Sequence, residues 1–197
     1  MITYGNEKFR ALTLGVLMSL SLSGCIPAAF VAGASATGAI VYDKRSLSTM
    51  VEDRDMSNAA LKAISRDPQL KDQAHITIAS FNHVMLLAGQ APTDALRDRA
   101  YQIASAAPNV KRIYNQVTVE EPLSKAAQAK DTWITTKVKS AILAQKGLNS
   151  SQIKVVTENK VVYLMGILTP KQADIAADVA SKVAGVEKVV KIFEYEQ

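Results

Sequence analysis

The chain has 197 residues, of which 48% are hydrophobic and 21% charged, with a formal net charge of +5. That is enough for one ordinary domain or two small ones, and too apolar for a disordered chain. A single cysteine, Cys25, excludes an internal disulfide framework and a cysteine-cluster metal site. The mild basicity comes without an Arg-rich run, a Gly-rich phosphate loop or a nucleic-acid signature, so neither nucleic acid nor a metal is expected.

Residues 1–24 read as an export signal. Lys8 and Arg10 give a positive start, and the apolar run from Ala11 to Leu22 is too short for an ordinary membrane span. The run ends in Leu22-Ser23-Gly24-Cys25, which resembles the bacterial lipobox. In that pattern the Cys25 thiol takes a diacylglycerol, cleavage falls on its amino side, and the freed amine is acylated. Three acyl chains, palmitate among them, exceed what stable anchoring needs. Ile26 follows where an Asp would favour the inner membrane, so the outer membrane is expected. Residues 25–49 contain a run rich in Ala, Gly, Val and Ser and read as a lipidated tether, in preference to a small-residue helix lying near the lipid or a second membrane span, for which the run is short and Gly-rich.

Beyond the tether the chain repeats itself. Ile76-Thr77-Ile78 and Ile153-Lys154-Val155 alternate like strands, and each is followed by an Asn turn, Asn82-His83 or Asn159-Lys160. The second strands end in Met85-Leu86-Leu87-Ala88-Gly89 and Val162-Tyr163-Leu164-Met165-Gly166. A helix follows in each copy, with the stripes Leu96, Ala100, Ile103 and Ala104, then Ala173, Ala177 and Ala180. Thr169-Pro170 reads as N-cap and first helical position, with Gly185 as the stop. Closing strands span Val110 to Val119 and Val186 to Tyr195. With one helix before each hairpin, each unit is helix-strand-strand-helix-strand. The expected boundaries are 50–121 for the first unit, 122–130 for a linker and 131–197 for the second. His75 and His83 lack a partner histidine at ligand spacing and are read as ordinary surface residues.

The helix opening the second unit holds the only tryptophan. Ile134, Val138, Ala141 and Ile142 make its core stripe. Trp133, Thr136, Lys137, Ser140 and Ala144 share another face, with Leu143 on its flank. An indole with lysines and small polar residues on one exposed face suits the water–lipid interface; the alternative is that Trp133 packs at the edge of the core. At the offset of 77 residues between the glycines, Trp133 falls opposite Met56, Lys137 opposite Ala60 and Ser140 opposite Ala63. Charge is asymmetric as well: residues 125–197 hold 11 Lys and Arg against 7 Asp and Glu, whereas residues 52–121 hold 8 against 9. That suits the second unit facing an anionic surface.

The strand ending of an apolar residue, any residue, Leu, any residue, Gly, inside such a unit, resembles the BON domain. Two units behind a lipobox are similar to the dual-BON outer-membrane lipoproteins. The resemblance is most specific in Asp131-Thr132-Trp133-Ile134-Thr135-Thr136-Lys137-Val138 and from Val156 to Gly166. It implies an α+β fold of two tandem BON units, each a three-stranded mixed sheet packed by two helices. It also implies binding of an anionic phospholipid membrane through the first helix of the second unit. The residues so implied are Trp133, Thr136, Lys137, Lys139, Ser140 and Leu143, with Lys139 off the Trp face of the wheel. A role in envelope integrity at the division site rests on the resemblance alone.

No Ser-His-Asp, Cys-His or paired-carboxylate constellation is visible, so neither an enzyme nor a cofactor is expected. The rival reading is a protein adaptor. The nearly neutral first unit, with Tyr101, Tyr114, Arg97 and Arg99, would dock outer-membrane β-barrel assembly, peptidoglycan-associated or division proteins.

Overall fold

The computed structural model describes residues 43–196. The expected signal 1–24, the lipidation site Cys25 and most of the expected tether lie outside the described residues. The last tether residues are part of the fold. Helix α1 (Leu47–Arg66) already starts at Leu47, because the Ser46 hydroxyl accepts from the Thr49 amide and caps it.

The first unit continues with β1 (His75–Phe81), β2 (Val84–Ala91), α2 (Asp94–Ser105) and β3 (Arg112–Val119). The second repeats the order as α3 (Lys125–Ala144), β4 (Ile153–Glu158), β5 (Val161–Leu168), α4 (Pro170–Ser181) and β6 (Lys188–Tyr195). Each unit is thus α+β, helix-strand-strand-helix-strand. In each sheet the middle strand pairs antiparallel with its hairpin partner and parallel with the closing strand. Of the expected linker 122–130, residues 125–130 are instead the first turns of α3. Ser124 supplies the cap, accepting from the Ala127 amide at 3.3 Å, and small residues let the helix start early.

The hairpin turns are built alike. Asn82 and His83, and Asn159 and Lys160, all have positive φ, between 46° and 63°, the conformation that a two-residue hairpin with matched twist needs. A buried carboxylate on the preceding helix ties down each turn. Asp53 accepts the Asn82 and His83 amides at 2.7 Å, and Asp131 accepts those of Asn159 and Lys160 at 2.8 and 2.9 Å. Met56, Ala60 and Ile64 in α1 then match Ile134, Val138 and Ile142 in α3 in the two helix–sheet cores.

These matches correct the alignment of the repeats. The helices are offset by 78 residues, the hairpins by 77 and the second helices by 76, because the path from the first helix to the matched strand residue (Ile76 or Ile153) and that from the hairpin to the second helix are each one residue shorter in the second unit. Trp133 therefore stands opposite Asp55, not Met56, and Lys137 opposite Ala59, not Ala60. Two further expectations shift. In α4 Ala176 is buried while Ala177 is only half-buried, and α4 ends at Ser181, ahead of Gly185. Thr169 caps α4 with Pro170 in its first turn, as the sequence suggested, and Gln172 completes a capping box.

The middle strands run two residues past Gly89 and Gly166, where the sequence suggested they end, and each glycine has a steric cause. A Cβ on Gly89 would overlap the His75 carbonyl, and one on Gly166 would overlap the Gln152 carbonyl. The edge strand approaches the middle strand too closely there for any side chain.

The middle strands alternate between two cores. In β2, Met85 and Leu87 face the helices, while Val84, Leu86 and Ala88 face away; in β5, Val162 and Leu164 face the helices, while Tyr163 and Met165 face away. The outward sets, with Phe81 and Ile192, form a third core in which the two sheets pack against each other. The result is four layers, helices outside and sheets inside. Strands buried on both faces read as unbroken apolar runs.

Polar contacts cross the same interface. Glu158 accepts from Thr77 Oγ1 and lies 3.5 Å from His75 Nε2, and Lys154 Nζ donates to the Ser80 carbonyl at 3.0 Å. His75 is thus half-buried between the units rather than an ordinary surface residue. His83 is half-buried under α1 with Nε2 3.5 Å from Glu52, because the left-handed turn aims its ring back at the helix.

The segment leading into α1 is pinned to both units. Arg45 donates to Asp43 and Asp53, each at 2.8 Å, and its guanidinium stacks 3.8 Å from the Phe81 ring centroid. Lys44 pairs with Glu196 just beyond β6. Burial raises the Asp43 pKa, and the Arg45 hydrogen bonds and charge outweigh it, holding the carboxyl below its ordinary value.

Candidate functional site

Helix α3 presents one face to its core through Ile134, Val138 and Ile142, all at most 5% exposed. The opposite face is bare. Trp133 is 63% exposed and Leu143 70%, two large apolar side chains held in solvent. Thr136 and Ser140 are exposed between them, and the Thr136 hydroxyl donates back to the Thr132 carbonyl at 3.1 Å. The reading of Trp133 as a core-edge residue does not match this exposure.

The two lysines flank the face on opposite sides and differ in state. Lys137 is half-buried and its ammonium donates to the Ala184 carbonyl in the turn after α4, beside Gly185. The sequence placed it on the free face, but this contact draws it toward α4. Lys139, which the wheel put off the Trp face, is exposed and has no hydrogen bond or ion pair among the described residues. It lines a groove that also includes Ser140 and Leu143. Elsewhere on the second unit Lys160, Lys182 and Lys191 are paired with Glu187, Asp178 and Asp174.

The corrected offset sets Asp55, Asn58, Lys62 and Ser65 of the first unit opposite Trp133, Thr136, Ser140 and Leu143. The first helix thus lacks the aromatic and apolar pair. Its own exposed apolar residues are Leu47, Val51 and Leu61. On α2 the cations named for an adaptor surface are matched locally: Arg97 pairs with Asp94 and Asp98, and Arg99 with Asp67. Tyr101 is 42% exposed, whereas Tyr114 packs against the inter-sheet core. Among the described residues, no helix is long and apolar enough to cross a membrane.

Two copies of one helix–hairpin–helix–strand unit, each turn tied to a buried Asp and each middle strand holding an obligatory glycine two residues before its end, define a class. Residues 53–121 and 130–197 match the BON domain, and the chain belongs to that family, with two domains in tandem. It is DolP-like along nearly its whole length. It is 35% identical over 194 residues to "Outer membrane lipoprotein DolP" of Haemophilus influenzae, covering 98% of this chain and 99% of that one. It is 41% identical over 155 residues to the "21 kDa hemolysin" of Actinobacillus pleuropneumoniae, covering 79% and 80% of the two chains. A more distant relative is "Osmotically-inducible protein Y" of Escherichia coli, 26% identical over 140 residues and 70% of each chain.

Proposed function

We propose that the protein is a non-enzymatic outer-membrane lipoprotein that faces the periplasm and binds anionic phospholipid through the outer face of α3, supporting envelope integrity. The observation that carries the reading is the exposure of Trp133 and Leu143 on one face of a helix whose other face is fully buried. An indole of roughly 250 Å² at this exposure offers about 150 Å² of surface, worth at most about 4 kcal/mol if fully transferred to lipid. A lysine near an anionic surface adds on the order of 1 kcal/mol. The free ammonium of Lys139 suits that task better than the engaged one of Lys137. Such terms give weak binding, which suffices for a tethered domain.

The place where the chain enters the fold supports this. Arg45, two residues before α1, lines the same groove as Ser140 and Leu143, so the entry point lies beside the lipid-facing end of α3. Asp43 lies 18 positions after Cys25. Even fully extended this stretch reaches about 60 Å. Acylated Cys25 would attach the protein permanently, and α3 would add a second contact that depends on lipid composition. Trp133→Glu combined with Lys139→Glu is expected to abolish co-sedimentation with anionic vesicles while the circular dichroism spectrum stays native. Full binding by the folded double variant would contradict the proposal.

A further inference from the structure

Beside the exposed face of α3 runs a groove of about 490 Å³ between that helix, β4 and the entry segment of the first unit. Its polar wall is Arg45, Lys139 and Lys154 with the hydroxyls of Ser150 and Ser151, and no Asp or Glu lines it. The three cations are not equivalent. Arg45 is neutralised by Asp43 and Asp53. Lys139 has no hydrogen-bond or ion-pair partner among the described residues, and Lys154 has only the neutral Ser80 carbonyl. Although part of the Lys154 side chain reaches solvent, desolvation pushes its ammonium below the ordinary lysine value. The like charge of Arg45 adds to this, as does that of Lys139, against a partial offset from Asp53. Two lysines thus line one concave site whose own wall holds no carboxylate, with Asp53 in the adjoining pocket that Lys154 shares with Ser80, and a wall of this charge is the field an anion fills. Leu143 also lines the groove, so it adjoins the apolar face that carries Trp133.

We propose that this groove takes the phosphodiester headgroup of an anionic phospholipid, with Lys139 and Lys154 on the phosphate, Ser150 donating to its oxygens, and the acyl portion leaving past Leu143; the Ser151 hydroxyl beside it already donates to Asn149 Oδ1 at 2.7 Å. This deepens the membrane-contact reading and rests on it. The groove's wall combines α3 and β4 with Arg45 and Phe81, so the headgroup site is complete only when the two BON domains are packed together. Inorganic phosphate presents the same chemistry but leaves the apolar part of the groove empty, so lipid is favoured.

The test uses the full chain carrying Cys25→Ser, with backbone amide shifts followed by NMR. The probes are inorganic phosphate, monomeric dihexanoyl phosphatidylserine and its zwitterionic phosphatidylcholine counterpart. Phosphatidylserine is expected to shift the amides of Ser150, Ser151 and Lys154 more strongly than phosphatidylcholine does. Lys139→Gln and Lys154→Gln should each weaken that binding about fivefold, and Lys154→Arg should restore it. Trp133 emission in anionic vesicles should still shift blue in both Gln variants, at higher lipid. Unchanged affinity in both Gln variants, or shifts confined to α3, would overturn the headgroup site while the Trp133 contact stands. Inorganic phosphate binding as tightly as the lipid would overturn the lipid assignment. Groove shifts without any Trp133 response would support the headgroup site and sink the helix-face reading instead.

Discussion

Asp131 lies two residues before Trp133 and fixes α3 against the β4–β5 turn. Replacing it with Ala removes two hydrogen bonds from a carboxylate that is 5% exposed, to the Asn159 amide at 2.8 Å and the Lys160 amide at 2.9 Å. Hydrogen bonds to charged groups contribute about 1.5–3 kcal/mol each. The turn residues themselves are exposed, so water recovers part of the loss. A net cost of about 3 kcal/mol follows, or roughly 6–12 °C in Tm for a chain of this size. Asp53→Ala should cost more, because Asp53 also accepts from Arg45 at 2.8 Å and its loss leaves the guanidinium against Phe81 with Asp43 alone. The assay is urea and thermal unfolding followed by far-UV circular dichroism, with wild type, Asp131→Ala, Asp53→Ala and Asp131→Asn side by side. Asp131→Asn should fall between wild type and Ala, since it keeps one acceptor. A cost below about 1 kcal/mol for Asp131→Ala would refute the claim that the carboxylate holds the turn.

Gly166→Ala is expected to destabilise by about 1–3 kcal/mol through overlap with the Gln152 carbonyl. Gly89→Ala should cost more, because its φ of +119° adds backbone strain; equal costs in denaturant melts would argue against that cause. Asp67 has a pKa held below its ordinary value, first by the Arg99 hydrogen bond, against burial, and then by the Gln69 and Leu70 amides. Its folded pKa lies below its unfolded one, so its contribution is present above about pH 4 and disappears as pH falls through the folded value. Asp67→Asn should therefore lower the denaturation midpoint at pH 7 and match wild type near pH 2. A gap that persists at pH 2 would contradict the assignment.

The sequence carries the repeat, the order of elements and the turn chemistry, because those are local: an Asn turn, a capping Thr-Pro, a Gly late in the middle strand. It also carries the packing of one domain on the other, in a signal easily passed over. Met85-Leu86-Leu87-Ala88 does not alternate with polar residues, and a strand without alternation is buried on both sides. A single glycine-based offset hides the one-residue changes in the connections, and so misplaced the partner of Trp133 by one position. The buried Asp53 and Asp131 mark the better register. Trp133 and Leu143 are legible from helical periodicity. Lys137 is not, since its contact with Ala184 comes from a segment 47 positions away. Nothing local marks Arg45 and Lys154 as neighbours of Lys139. Their meeting depends on the sheets packing face to face.

The most direct test of membrane contact uses Trp133 as its own reporter, since it is the only tryptophan. Residues 26–197 are titrated with zwitterionic or anionic vesicles while indole emission is recorded. The account requires a blue shift with anionic vesicles that fades as salt is raised beyond physiological strength, where screening acts within about 8 Å. Emission unchanged by anionic vesicles, with the protein still folded, would contradict it and leave the exposed face of α3 to a protein partner.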